Sequence, residues 1–328
     1  MIVSVLAAVL ASGSMVETKS AGTPRIRDYG VFLAECPAAE CGAPLLALRS
    51  FRQKGVERLL VVNPETLETR VIPKPDRGLT PLEPARLRAF ALDTPYGRAL
   101  ARDDDSSTFT RDAGIVHTLP PSNGVVLTID LCPSFHPLDR RLFETVIDTF
   151  LKEERPIPIG IAITGRWMEE HPDDLAWLKA LDARGTIRVT WIDHSFTHRY
   201  RKDLPAAKNF LLQPGTSLPR EVLATEKALL ERGLTPSVFF RFPGLMSDPE
   251  LVRGIGSLGL IAVGSDAWLA KKEVPSAGSI VLVHGNGNEP YGVARFLALL
   301  KKEKSEIRAG NWLLFDLRES LTRVDTPR

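Results

Sequence analysis

A chain of 328 residues, 44% hydrophobic and 25% charged, has ordinary globular composition and is long enough for one large α/β domain with an extension, or for two domains. A formal net charge of +2 gives no global electrostatic attraction to nucleic acid, which sets that class of partner aside. The opening run, residues 1–14, is apolar, ends in small residues and is too short for a stable membrane span.

That run reads as the apolar region and cleavage site of an export signal, with residues 1–22 as signal and flexible start. No Lys or Arg precedes it, so a plain buried helix or strand is the alternative, and with it a cytoplasmic rather than a periplasmic or secreted location. Of the three cysteines, Cys36 and Cys41 are close enough to form a small disulfide in an oxidising compartment, or are two small buried residues. Cys132 is left over, and the three match no zinc-finger spacing.

Residues 23–118 read as an extension of mixed α+β character. Within it, Arg58 to Ile72 forms two strands around an Asn-Pro turn, and the Pro-rich stretch from Pro73 to Pro84 is a loop. Pro84 to Ala101 is helical and broken at Pro95-Tyr-Gly97. His117 is placed in a solvated loop. From residue 119 the pattern changes. Short apolar runs at Val125–Asp130, Ile157–Thr164, Ile187–Ile192, Ser237–Phe240, Leu260–Val263 and Ile280–Val283 alternate with amphipathic helices, and Trp312–Leu317 is a last strand. Alternating strands and helices with short connections make a parallel sheet. No glycine-rich phosphate loop follows any strand, so a barrel, closed or incomplete, fits better than a nucleotide-binding sheet.

The polar residues of interest sit where those strands end. Asp130 ends the first run and is followed by Leu131-Cys132-Pro133; His194 and His198 follow the third. Arg241 stands in Phe240-Arg-Phe-Pro-Gly244, Asp266 and Trp268 follow Leu260–Val263, and His284 follows Ile280-Val-Leu-Val. Singly, each has a plain explanation: a helix cap, a structural ion pair, a core histidine. Together, at successive strand ends of a barrel, they form a candidate site, and a His-x-x-x-His pair at a strand mouth can hold one metal ion.

In this order the motifs resemble the polysaccharide deacetylase family, the NodB homology domain of carbohydrate esterase family four. Thr128-Ile-Asp-Leu-Cys-Pro133 stands for its Thr-Phe-Asp-Asp-Gly-Pro motif and His194-Ser-Phe-Thr-His198 for its His-Ser/Thr-x-x-His motif. Arg241-Phe-Pro-Gly244, Asp266-Ala-Trp268 and Leu282-Val-His284 follow for the remaining three, the fourth with looser spacing. The resemblance covers residues 120–310. It implies a distorted (β/α) barrel, a divalent metal ion with zinc first, and removal of acetyl groups from N- or O-acetylated carbohydrate. It further implies His194 and His198 as ligands, Asp130 as base, His284 as acid, Arg241 orienting Asp130, Asp266 supporting His284, and Trp268 and Leu282 walling the acetyl pocket.

One departure is chemical. The family's second aspartate, a metal ligand, is replaced by Leu131, which cannot coordinate. Catalytic zinc takes three protein ligands and an open position. Asp130 is the first candidate for the third ligand. Cys132 is next, because in an extended chain it points to the same side as Asp130 and its thiolate suits zinc; Asp193, His136 and Asp139 are further options. A site that binds glycan without cleaving it, or one that deacylates a non-sugar amide, are the alternatives.

Overall fold

The structure, a computed structural model, describes residues 25–90, 92–101 and 110–322; the apolar run read as an export signal lies outside them. Five antiparallel strands come first: β1 (Ile26–Cys36), β2 (Leu45–Gln53), β3 (Val56–Val62), β4 (Thr69–Pro73) and β5 (Thr80–Pro81), in spatial order β4-β3-β2-β1-β5. Lys54 and Gly55, both at positive φ (51° and 81°), turn β2 into β3 as a two-residue hairpin requires. The strand pair around the Asn-Pro turn is present as β3 and β4, with the Asn63 side chain accepting the Glu65 and Thr66 backbone N–H groups.

The sequence did not reveal β1 and β2. Their pairing slips register between Arg27 and Gly30 and again between Val31 and Ala34, and such bulges erase the two-residue alternation that marks a strand. The expected Pro73–Pro84 loop contains the short β5, which pairs with Ala34 and Glu35 of β1. One-turn α1 (Ala38–Cys41) leads from β1 towards β2, and Cys41 is disulfide-bonded to Cys36. Helices α2 (Pro84–Phe90) and α3 (Pro95–Ala101) follow. Pro95 opens α3 instead of breaking a longer helix, because the first helical position needs no N–H donor.

The remaining strands are β6 (Thr110–Arg111), β7 (Gly124–Leu131), β8 (Ile157–Ile163), β9 (Ile187–Asp193), β10 (Phe239–Phe240), β11 (Met246–Ser247), β12 (Ile261–Ala262), β13 (Ala267–Trp268), β14 (Ile280–His284) and β15 (Leu313–Leu314). β6 and β11 form a separate two-stranded pair. The others build one curled parallel sheet in the order β12-β10-β9-β8-β7-β14-β13, with β15 beside the start of β7. Helices α4 (Arg140–Phe150), α5 (Gly165–Glu170), α6 (Pro172–Ala183), α7 (Leu218–Glu231), α8 (Pro249–Ser257) and α9 (Pro290–Lys302) are interleaved with these strands. None of the described helices is long and apolar enough to cross a membrane.

All eight residues of β7 are buried, which is why it reads as an unbroken apolar run. Its two faces still differ. Val125, Leu127, Ile129 and Leu131 pack in one cluster with Leu142, Phe143, Val146 and Phe150 of α4. Val126 belongs to the opposite cluster, inside the curl, with Ala162, Ile192, Val238, Ile261 and Ile280. Strand alternation therefore sends Thr128, Asp130 and, beyond the strand, Cys132 to the inner side.

The inner cluster is completed from the extension by Leu46, Leu48, Val62, Leu67, Leu87 and Tyr96, which cover the starts of the strands. Arg49 on β2, fully buried, forms a bidentate pair with Glu226 on α7 (Nε–Oε2 2.7 Å, Nη2–Oε1 2.8 Å) and donates to the Leu258 carbonyl at 2.7 Å. The sheet path ends at β12 and β13. Between β12 and the start of β14 lies the segment 115–118: Ile115 N donates to Ala262 O, Gly264 N to Ile115 O and Thr118 N to Gly278 O. Gly114 precedes it at φ 88°, where a Cβ would sit 2.1 Å from the Ala262 carbonyl oxygen, so only glycine permits this approach.

Candidate metal centre and catalytic cleft

The carboxyl ends of β7, β9, β10 and β14 converge on one cleft of about 760 Å³, whose lining includes Cys132, His198, Tyr200, Phe210, Trp268 and His284. β9 delivers His194, which is buried. Its Nδ1–H donates to the Arg241 carbonyl at 2.8 Å, which turns Nε2 inward. That nitrogen lies 3.6 Å from Cys132 Sγ and 3.7 Å from Asp130 Oδ2. His198 follows a tight loop, itself at φ 44°, and its buried Nε2 has no hydrogen-bond partner in the structure.

One donor atom each from Cys132, His194 and His198 lies within 4.8 Å of the other two. A buried, unpartnered imidazole nitrogen beside a thiol and a second imidazole, held by its far nitrogen on a backbone carbonyl, is a donor set that could hold a metal ion. Burial raises the Cys132 pKa, but the charges of His198 and His284 and the contacts of His194 and His198 pull it well below the usual thiol range. Leu131 points away, into the cluster with α4, so its position contributes to the core and not to the site.

The other options for a third ligand stand elsewhere. Asp193 accepts the Ser195 backbone N–H at 2.8 Å with Oδ1, and burial, reinforced by Glu226, holds its carboxyl well above the usual range. Asp139 caps α4 by accepting from Leu142 N, and His136 is exposed.

Asp130 is buried beneath this cluster. Arg241, itself 0% exposed, donates through Nη1 to Asp130 Oδ1 at 2.7 Å and to Thr128 Oγ1 at 2.8 Å. The rest of the guanidinium is tied to the Val263 and Gly264 carbonyls at 3.3 and 2.9 Å. Burial works against charge on Asp130, yet Arg241, His194 and His284 together hold its pKa below the ordinary value.

His284 ends β14, opposite Asp130 in register. Its Nδ1 lies 2.9 Å from Glu289 Oε2, and the same oxygen accepts the Trp268 indole N–H at 2.7 Å. Burial lowers the His284 pKa, but Cys132, Glu289 and Asp130 raise it well above the usual imidazole value.

Asp266 does not support His284. It precedes β13, at the level where β14 begins, and accepts from Ile280 N at 3.0 Å, four residues before His284. Four strand residues span about 13 Å, out of reach of a carboxylate. Asp266 instead meets His117 Nδ1 at 2.6 Å, so His117 is a hydrogen-bond partner at the seam and not a free loop histidine. Glu289, just before α9, takes the place beside His284. The signal for it was thin: an acidic residue between β14 and Pro290 reads first as a helix start.

Trp268 lines the cleft, 6.0 Å from His284 between ring centroids. Leu282 points inward with His284 but is 1% exposed, so it supports the cleft from beneath and does not wall it. Trp167, at the start of α5, is fully buried and belongs to the core. Tyr200 is 59% exposed in the cleft and stacks on Phe210.

No family model matches the sequence. Among solved structures, the chain is similar to a family 4 carbohydrate esterase from Bacillus anthracis (14% identity, 70% of this chain and 92% of that chain, TM-score 0.47). It is also similar to the peptidoglycan deacetylase PdaC from Bacillus subtilis (15% identity, 62% and 93%, TM-score 0.42). A family 4 pseudoenzyme from Bacillus anthracis is a third such structure (16% identity, 63% and 68%, TM-score 0.42). In the order of its motifs, the chain resembles the polysaccharide deacetylase family.

Proposed function

We propose that the protein is an exported, metal-dependent hydrolase that removes acetyl groups from N- or O-acetylated carbohydrate. The observation that carries this reading is the Cys132–His194–His198 donor cluster, set between the Asp130–Arg241 pair and the His284–Glu289 pair in one cleft. Cys132 and the two histidines would hold the ion, and one thiolate with two imidazoles favours zinc. Bound there, the ion supplies Lewis acidity to an acyl oxygen and lowers the pKa of water.

The chain's own residues supply the proton transfers. Asp130, kept ionised by Arg241, takes a proton from the attacking water. The water oxygen joins the acyl carbon, the bond from that carbon to the sugar nitrogen or oxygen breaks, and acetate leaves. His284, held protonated beside Glu289, gives its proton to the departing nitrogen or oxygen. The exposed ring of Tyr200 and the indole of Trp268 offer stacking faces for sugar rings. The Cys36–Cys41 disulfide supports export, since such bonds persist in oxidising compartments.

Metal analysis of the purified protein, beside an acetate-release assay on acetylated glycans, tests the proposal. The expected result is one zinc per chain and acetate released. A protein that takes up metal and binds glycan without releasing acetate is instead a binding protein; one that takes up no metal overturns the reading.

A further inference from the structure

His194 and His198 are separated by a loop that belongs to no strand or helix of its own. Ser195 and His198 both adopt positive φ (66° and 44°), a region that residues with side chains enter only when their surroundings hold them there. The carbonyls of the loop are met by the first turn of α5: Gly165 N donates to Ser195 O at 3.2 Å and Arg166 N to Phe196 O at 2.9 Å. Its donors are met by side chains. Ser195 N goes to Asp193 Oδ1, and His198 N goes to Ser195 Oγ at 3.2 Å. The remaining three, Phe196 N (2.9 Å), Thr197 N (2.7 Å) and Thr197 Oγ1 (2.7 Å), all converge on the carboxylate of Glu221, in the first turn of α7.

We propose that Glu221 is a positioning residue for the metal site: by gathering these three donors it fixes the loop in its left-handed turns and so sets His198 against Cys132 and His194. Glu221 touches neither the donor cluster nor the cleft lining, so it acts only through the loop. Two convergent N–H groups and a hydroxyl form a small anion nest, and a carboxylate fills it with charge-assisted bonds. The nest specifies the side chain closely. Glutamine at this position can still accept both N–H groups with its oxygen and donate to the Thr197 hydroxyl. Aspartate keeps the charge on α7 but falls one methylene short of the loop.

This inference rests on the metal reading of the cluster, and the test separates the two. Full-length protein, stripped of metal, is titrated with cobalt(II) chloride, and the thiolate-to-cobalt absorption of Cys132 reports occupancy and geometry. Wild type is expected to bind. Glu221→Ala and Glu221→Asp should bind on the order of 10–100-fold more weakly, as removal of supporting contacts does at other metal sites, while Glu221→Gln should stay within a few-fold of wild type. Melting of the metal-free variants shows that the loss does not come from unfolding, and should Glu221→Ala fail to fold, the aspartate and glutamine variants carry the comparison. Aspartate binding as tightly as wild type, with the same spectrum, overturns the role of Glu221 and leaves the metal site standing. A wild type that takes up no cobalt overturns the metal reading, and the positioning role with it.

Discussion

Asp130, Cys132 and Leu131 are three neighbours with three different fates, decided by strand alternation. Asp130 and Cys132 point to the inner side of the sheet, where Cys132 lines the cleft, and Leu131 points into the helix layer. The sequence alone ranked Asp130 above Cys132 as the third ligand. In the structure Asp130 is engaged by Arg241 at 2.7 Å, while Cys132 Sγ lies beside the two imidazoles, and the proposed function assigns the ligand role to Cys132 on that ground. Cys132→Ser is therefore expected to lose zinc together with activity, whereas Asp130→Asn keeps zinc and loses turnover by 10²-fold or more, the order of a general-base contribution. Dialysis against zinc followed by elemental analysis distinguishes the two outcomes. His284→Ala should behave as Asp130→Asn does, because a proton donor is not a ligand. The ends of β7, β9, β10 and β14 were legible because an isolated polar residue closing an apolar run stands out in a sequence. Glu289 and Glu221 were not, since each begins a helix and acidic residues are common there on electrostatic grounds alone.

At the scale of elements, the buried parallel strands β7, β8, β9 and β14 were readable from their composition, and the bulged β1 was not, because its pattern is broken where its register slips. One contact between elements has a pH signature. Glu154 accepts the Leu314 backbone N–H at 3.2 Å where β15 begins, and burial raises its pKa from 4.5 to about 7. A carboxyl whose folded pKa is raised keeps its proton in the native state after the unfolded chain has lost it. Its penalty is absent below about pH 4.5, grows as pH rises towards 7, and is then constant. Glu154→Gln keeps the acceptor and removes the penalty. It should stabilise the metal-free protein by about 1–2 kcal/mol at pH 8, after allowance for partial exposure, and leave it unchanged at pH 4. Urea melts at the two pH values read this out.

Across the whole molecule, the extension and the barrel are joined by an ion pair with no access to water. Arg49 and Glu226 are 0% and 1% exposed, and Tyr29 donates to the same carboxylate at 3.0 Å. Removing one partner strands a buried charge, so Glu226→Ala should cost about 3–5 kcal/mol. Replacing both, as Arg49→Met with Glu226→Leu, should recover most of that loss, because an apolar pair of similar volume avoids the desolvation cost. Thermal melts of the single and double variants decide whether the pair sets stability or only register. Nothing in the sequence announced this partnership, since 177 residues separate its members.

Segment 115–118 gives the molecule a closing order. β12 and the start of β14 are brought together by a piece of chain synthesised before either, and that piece ends the extension. A fragment beginning at Pro120 would carry the Cys132, His194 and His198 cluster with Asp130, Arg241 and His284, lose Arg111 from the cleft lining, and lack the cover for two strand borders, leaving Ala262 O, Gly264 N and Gly278 O without their partners. Such open borders recruit strands from other molecules. The shortened chain is expected to elute from a sizing column as aggregate, and a synthetic peptide covering residues 112–119 should return part of it to monomer. In a cell, the same dependence means that the half carrying the cleft, although made last, finds the missing stave of its barrel already waiting at the exit of the ribosome.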